Sequence, residues 1–143
     1  MAKANDNKTA IAKQFIAAIP HSKALGMKVD LVEAGRAELS LDYDPRFVGD
    51  PESGVLHGGV VTALLDTAMG TAVVNHPQSN GGTATIDLRI DYMRPATPQQ
   101  TITAKAECYR VTRSVAFVRA TAYDESDDPV ASATGAFTVE GGK

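Results

Sequence analysis

A chain of 143 residues has room for one domain with a substantial core and is too short for two. Its 14 basic and 17 acidic residues leave a formal charge of −3, with no cationic excess for nucleic acid or an anionic membrane surface, and the absence of tryptophan argues against a base-stacking platform. The single cysteine, Cys108, forms no internal disulfide, residues 1–8 lack an apolar signal core, and no run approaches bilayer length, so the reading is a cytoplasmic protein in a reducing compartment.

Residues 1–8 are polar and expected to be frayed and disordered. A short helix follows, capped by Asn7 or Thr9 and ended by Pro20, with Ile11, Phe15, Ile16 and Ile19 at helical spacing. Met27 to Glu33 and Arg36 to Leu41 read as strands joined at Ala34-Gly35. Asp44 to Ser53, with Pro45, Gly49 and Pro51, reads as a polar loop. Val60 to Val74 is apolar on nearly every side, which predicts a helix buried all round, with Thr62, Asp66 and Gly70 forming one narrow, less apolar stripe. After a loop over Asn75 to Gly82 come four strands: Thr83 to Met93, Thr101 to Val111, Ser114 to Tyr123 and Val130 to Glu140. Helix, two strands, long apolar helix and strand meander predict an α+β domain with an antiparallel sheet, spanning 1–143 without a repeat or linker.

The chemistry concentrates around His57-Gly58-Gly59 and Asp66. A glycine-flanked helix start offers unpaired N–H groups and the positive end of the macrodipole to a developing oxyanion. One well-placed donor of that kind lowers a barrier by about 3–4 kcal/mol. Asp66, two turns further in, is a candidate base or nucleophile in a dry site. The plainer readings are that the glycines allow close packing and that Asp66 reaches a solvated edge. His57 either holds the loop or touches substrate. His21, His57 and His76 have no metal-ligand spacing, and neither a Gly-x-Ser-x-Gly elbow nor a phosphate loop occurs. Among Arg89, Arg94, Arg110, Arg113 and Arg119, Arg94 and Arg113 sit at strand ends, where a guanidinium can reach a ligand phosphate. Cys108, in an alternating run, reads as a packed strand residue.

The segment Gly54-Val-Leu-His57-Gly58-Gly59, with Asp66 nine residues after the histidine, resembles the signature of hotdog-fold acyl-CoA thioesterases of the phenylacetic-acid-degradation (PaaI-like) branch. Thr85-Ile-Asp87-Leu-Arg-Ile-Asp-Tyr92-Met-Arg94-Pro95-Ala96 resembles that branch's long strand, and Ile19-Pro-His-Ser-Lys-Ala-Leu25-Gly26-Met its entry. The likeness runs from about residue 15 to 140. It implies an antiparallel sheet wrapped around a long central helix, and hydrolysis of an acyl-CoA to free acid and CoA. The Gly58 amide then polarises the thioester carbonyl, Asp66 is base or nucleophile, and Thr85, contributed by the other subunit, assists water. His57, Gly59, Glu52, Arg94 and Arg113 are the expected substrate contacts. Neither metal nor organic cofactor is implied, since coenzyme A belongs to the substrate. The expected assembly is a homodimer or a tetramer of dimers, with active sites between subunits that borrow Thr85 and loop residues 50–53 from a neighbour. One departure stands out: many relatives carry Asn six residues before the histidine, where this chain has Pro51, flanked by Asp50 and Glu52. The alternatives are a hotdog enoyl-CoA hydratase or dehydratase and a non-catalytic acyl-CoA-binding module.

Overall fold

Small residues recur at alternate positions of the later strands: Ala104, Ala106, Ala116, Ala120, Ala122, Ala131 and Ala133 are all buried. A sheet face without bulk lets a helix lie close against it. The computed structural model, which describes residues 2–140, shows that arrangement. In chain order it contains α1 (Ala2–Ala18), α2 (Pro20–Leu25), β1 (Lys28–Glu33), β2 (Arg36–Leu41), a 3-10 turn (Pro45–Phe47), β3 (Val48–Asp50) and β4 (Val55–Leu56). Then come α3 (Gly58–Val74), β5 (Thr85–Tyr92), β6 (Ile102–Val111), β7 (Val115–Tyr123) and β8 (Pro129–Thr138). Six strands form one antiparallel sheet in the order β1-β2-β6-β7-β8-β5, and α3 touches every one of them. Leu64, Leu65, Met69 and Val73 from α3 meet Leu39, Leu41, Ile102, Val118 and Phe137 in the fully buried centre. This is the α+β hotdog architecture.

Glycine at 135 is part of that packing. A Cβ there would lie 3.0 Å from the Asp87 carbonyl oxygen and 3.0 Å from Met69 Cε.

The sheet's two edges differ. α1 packs along β1, and Thr9 Oγ1 accepts from the Val32 N–H at 3.2 Å while donating to the Val32 carbonyl at 3.4 Å. Thr9 therefore closes an edge instead of capping a helix. β5 forms the opposite edge and is exposed over most of its length, including Ile86.

The structure corrects several expectations. The polar start continues α1 from Ala2, with Met1 outside the described residues. Pro20 does end α1, but it also opens α2, with Ile19 as N-cap in an extended conformation that suits a following proline. The expected loop over 44–53 contains the 3-10 turn and β3, which pairs with β4 in a small second sheet. Finally, α3 is not covered all round: Ala63, Asp66, Thr67 and Gly70 are half-buried and Val74 is 38% exposed, so one stripe lies open.

Candidate active site

The helix start is built by His57. Its backbone is extended, with φ −60 and ψ 134, and its Nδ1 accepts from the Gly59 N–H at 2.8 Å. The imidazole is thus an N-cap. Gly59 is required for this contact, because a Cβ on it would lie 2.9 Å from His57 Nδ1. Gly49 is required as well: a Cβ there would come within 2.8 Å of His57 Cα. With Gly59 committed to the cap, Gly58 is left as the exposed first residue of α3, and its N–H makes no hydrogen bond among the described residues. Its carbonyl accepts from Thr62 Oγ1 at 3.1 Å and from the Tyr92 hydroxyl at 3.2 Å. The Tyr92 and Thr62 hydroxyls also lie in contact, so the end of β5 is clamped onto the start of α3.

Asp66 meets the other end of β5. Thr85 Oγ1 donates to Asp66 Oδ1 at 2.7 Å, and Oδ2 has no hydrogen-bond partner among the described residues. A β-bulge makes this contact. Leu88, Ile90 and Tyr92 lie opposite inward-facing Gly135, Ala133 and Ala131 on β8, so even-numbered residues of β5 face α3. The register slips between Thr85 and Asp87, which turns an odd-numbered residue inward opposite buried Phe137. Thr85 therefore reaches the Asp66 of its own chain.

Gly58 and Asp66, in contrast, do not come together within one chain. They stand eight residues apart on α3, and at 1.5 Å per residue that is about 12 Å along the axis. One thioester carbon cannot touch both.

A groove of about 580 Å³ opens beside Asp66 and Thr85. It runs along the uncovered stripe of α3 past Gly70 and Val74, with Phe15 and Ile11 of α1 as its other wall. A shallower depression of about 330 Å³ adjoins His57, Gly59 and Ala63, and His21 lines both.

The remaining sequence candidates divide. Arg94 is not available to a ligand, which corrects its expected role as a phosphate contact. It donates to both carboxylate oxygens of Asp124, at 2.7 and 2.9 Å, and to Ser126 Oγ and the Asp128 carbonyl. Asp124 is fully buried at its side chain, and the Arg94 guanidinium holds its carboxyl far below the usual carboxylate range against the cost of burial. Arg113 is exposed in the β6–β7 turn, next to Ser114, whose carbonyl accepts from the Val139 N–H. That is the sheet end where β5 begins, but Arg113 makes no contact with Asp66. Glu52 is exposed in the β3–β4 turn that leads to the Gly58 end of α3. Asp50 serves that turn, accepting from the Glu52 N–H and Ser53 Oγ, and the Ser53 hydroxyl lowers its pKa. Cys108 is buried, which raises its thiol pKa. Tyr92, Thr62 and Gly49 are the site residues that the sequence reading did not assign.

The chain thus carries an N-terminal helix amide facing solvent, a carboxylate held by a hydroxyl, and an apolar groove beside that carboxylate, all on a hotdog domain. Comparison with known proteins gives the particular family. The model of the thioesterase superfamily matches residues 53–131. Over 142 aligned residues, covering 90% of this chain and 91% of the relative, the chain is 31% identical to the medium/long-chain acyl-CoA thioesterase YigI of Escherichia coli. A crystal structure of a Pseudomonas aeruginosa protein superposes with a TM-score of 0.82 at 40% identity, covering 93% of this chain and 99% of that one. The E. coli PaaI protein of the phenylacetic acid degradation operon shares the fold, with a TM-score of 0.83 at 22% identity, covering 96% of each chain. The chain belongs to the thioesterase superfamily and is a thioester hydrolase.

Proposed function

We propose that this protein hydrolyses acyl-CoA thioesters at two equivalent sites in a homodimer, each combining Gly58 of one protomer with Asp66 and Thr85 of the partner subunit. The carrying observation is that Gly58 and Asp66 stand eight residues apart on α3, about 12 Å along the helix axis, too far for one thioester to touch both. The open edge strand supplies the remedy. β5 starts at Thr85, beside Asp66, and ends at Tyr92, on Gly58. Antiparallel pairing of β5 with a copy of itself sets Thr85 of one chain beside Tyr92 of the partner subunit. The same operation brings the carboxylate of one protomer toward the helix start of the other, twice. The exposed Ile86, Tyr92 and Met93 on this edge suit burial in such a pairing. A tetramer would be a pair of these dimers.

In this arrangement the thioester oxygen accepts from the Gly58 N–H, at the positive end of α3. Thr85 occupies Oδ1 of Asp66 and leaves Oδ2 for the reaction. Oδ2 takes a proton as water adds to the carbonyl carbon, or itself adds to that carbon to give a mixed anhydride, which water then opens at the Asp66 carboxyl carbon to release the free acid. In either route the C–S bond breaks and CoA leaves as its thiol. A single turnover in isotope-labelled water separates the two, since only the second leaves label in Asp66. The chemistry calls for no metal or organic cofactor, because a thioester is already activated. Glu52, on the turn beside the helix start, is placed to reach water or substrate from the Gly58 side, and Arg113 to meet a CoA phosphate. A hydratase would need an acid–base pair at adjacent carbons, and His57, the nearest imidazole in sequence, has its Nδ1 occupied by Gly59. The cellular setting that fits is the cytoplasm.

Mixed dimers test the proposal. Asp66→Asn and Gly58→Pro should each be inactive in thiol release from acyl-CoA. Unfolded and refolded together in equal amounts, they should recover about a quarter of wild-type activity, since half the dimers are mixed and each mixed dimer holds one intact site of two. If both groups acted from one chain, every mixed site would be defective and nothing would return. Acyl-CoA binding by the wild type without thiol release would assign a binding module instead.

A further inference from the structure

Gly70 has no steric reason to be glycine within its own chain. It lies inside α3, where glycine is a poorer helix former than alanine, and its backbone does not require positive φ. A Cβ built there would meet only Phe137 Cε1 and Thr83 Cγ2, each at 3.8 Å, an ordinary contact. The contrast with Gly135 and Gly59, where a Cβ would come within 3.0 Å or less of its neighbours, is plain. What a side chain at 70 would occupy is the groove, one helical turn beyond Asp66.

The facing wall is equally unexplained by packing. α1 is already anchored through Ala12 and Ile16, which are buried, yet Ile11 and Phe15 stand 60% and 61% exposed on the groove side. At about 580 Å³ the groove falls within the range of roughly 300–1,000 Å³ typical of small-molecule sites.

Resting on the thioesterase reading above, we propose that this groove holds the acyl tail and that Gly70 sets the tail length accepted. The occupant is an unbranched apolar chain. It enters beside Asp66 and Thr85, where its carbonyl reacts, and runs along α3 over Gly70 to Val74, with Phe15 and Ile11 covering its flank. Gly70 and Phe15 are thus specificity residues, acting on the tail and not on the reacting atoms.

The test is kcat/KM across straight-chain acyl-CoAs from acetyl to palmitoyl. Each methylene buried is worth about 0.8 kcal/mol, so the wild type should gain about fourfold per methylene until the groove is full. Gly70→Leu should halt that rise at a shorter chain and lower the long-to-short ratio by about tenfold or more, the equivalent of two methylenes. Gly70→Ala should do the same more mildly while raising the melting temperature, and it carries the test if the leucine variant does not fold. Phe15→Ala should flatten the slope. A length profile of unchanged shape in Gly70→Ala and Phe15→Ala would overturn the inference, whatever the absolute rates. So would a changed association state of either variant in sedimentation, which would make this face a contact between copies of the chain. A wild type active on acyl-CoA but indifferent to tail length sinks this inference alone, whereas a wild type inactive on every acyl-CoA sinks the hydrolase reading beneath it.

Discussion

Gly58→Pro removes one hydrogen-bond donor and little else. A backbone N–H cannot ordinarily be deleted by mutation without breaking a helix, but Gly58 is the first residue of α3. That is where proline is best tolerated, since the N–H there has no intrahelical acceptor. The preceding residue must be extended, and His57 already is, with ψ 134. The Gly59 cap on His57 does not involve the Gly58 nitrogen. The added Cβ would approach Tyr92 Cε1 at 3.4 Å, so Gly58→Ala, which adds the same carbon and retains the N–H, is the matched control. Loss of one oxyanion donor costs about 10²–10³ in kcat, or roughly 2.7–4 kcal/mol. Because the interaction strengthens in the transition state, kcat and kcat/KM should fall together in Gly58→Pro. Gly58→Ala should stay within about tenfold of wild type, and thermal melting of the two variants should agree to within a few degrees. Steady-state thiol release from an acyl-CoA is the assay. Equal and modest losses in both variants would refute the reasoning, because the carbonyl would then be polarised by some group other than this amide.

The long elements were legible because their signals are periodic and local. A greasy run between two loops gave α3, and β-branched alternation gave β5 through β8. The carboxylate and the glycine pair were visible for the same reason, each being defined by its own helix. What escaped depended on partners distant in sequence. Thr85 faces Asp66 only because of the bulge at the start of β5, and nothing in Thr85-Ile-Asp87 announces a slip of register. Arg94 looked like a cation at a strand end, but its buried partner Asp124 lies thirty residues away. β3 and β4 are three and two residues long, too short to carry a pattern. The open stripe on α3 could not be told from a buried one, because coverage depends on where α1 comes to rest. His57 is the instructive middle case. A histidine followed by two glycines is readable as a side-chain cap whose neighbour must lack a Cβ, but the same three residues equally suit a substrate contact, and only the folded loop tells the two apart.

Thr85→Val keeps the shape of the side chain and removes its donation to Asp66. A bond to a charged group is worth about 1.5–3 kcal/mol, so kcat/KM should fall by about tenfold or more while Thr85→Ser stays close to wild type. Gly59→Ala should push His57 off its cap and cost about 1 kcal/mol of stability, read as a lower melting temperature. Asp124→Asn tests the other polar anchor, in which one carboxylate ties Arg94, Thr97 and Ser126 across two loops. Its side chain is fully buried, while Arg94 keeps a second carboxylate partner in Asp128, so losing the charge should cost about 1.5–3 kcal/mol in urea unfolding at neutral pH. The pH dependence has a definite sign. Asp124 titrates lower in the folded protein than in the unfolded chain, chiefly because of its bonds to Arg94, so its contribution is complete at neutral pH. As the pH falls below about 4, the ordinary aspartate value, the unfolded chain takes up the proton first and the contribution shrinks. The gap in unfolding free energy between wild type and Asp124→Asn should therefore be constant from pH 8 to about 5 and narrow steadily below about 4. A gap that stays fixed down to pH 3 would mean that Arg94 is held by geometry without need of the charge opposite it.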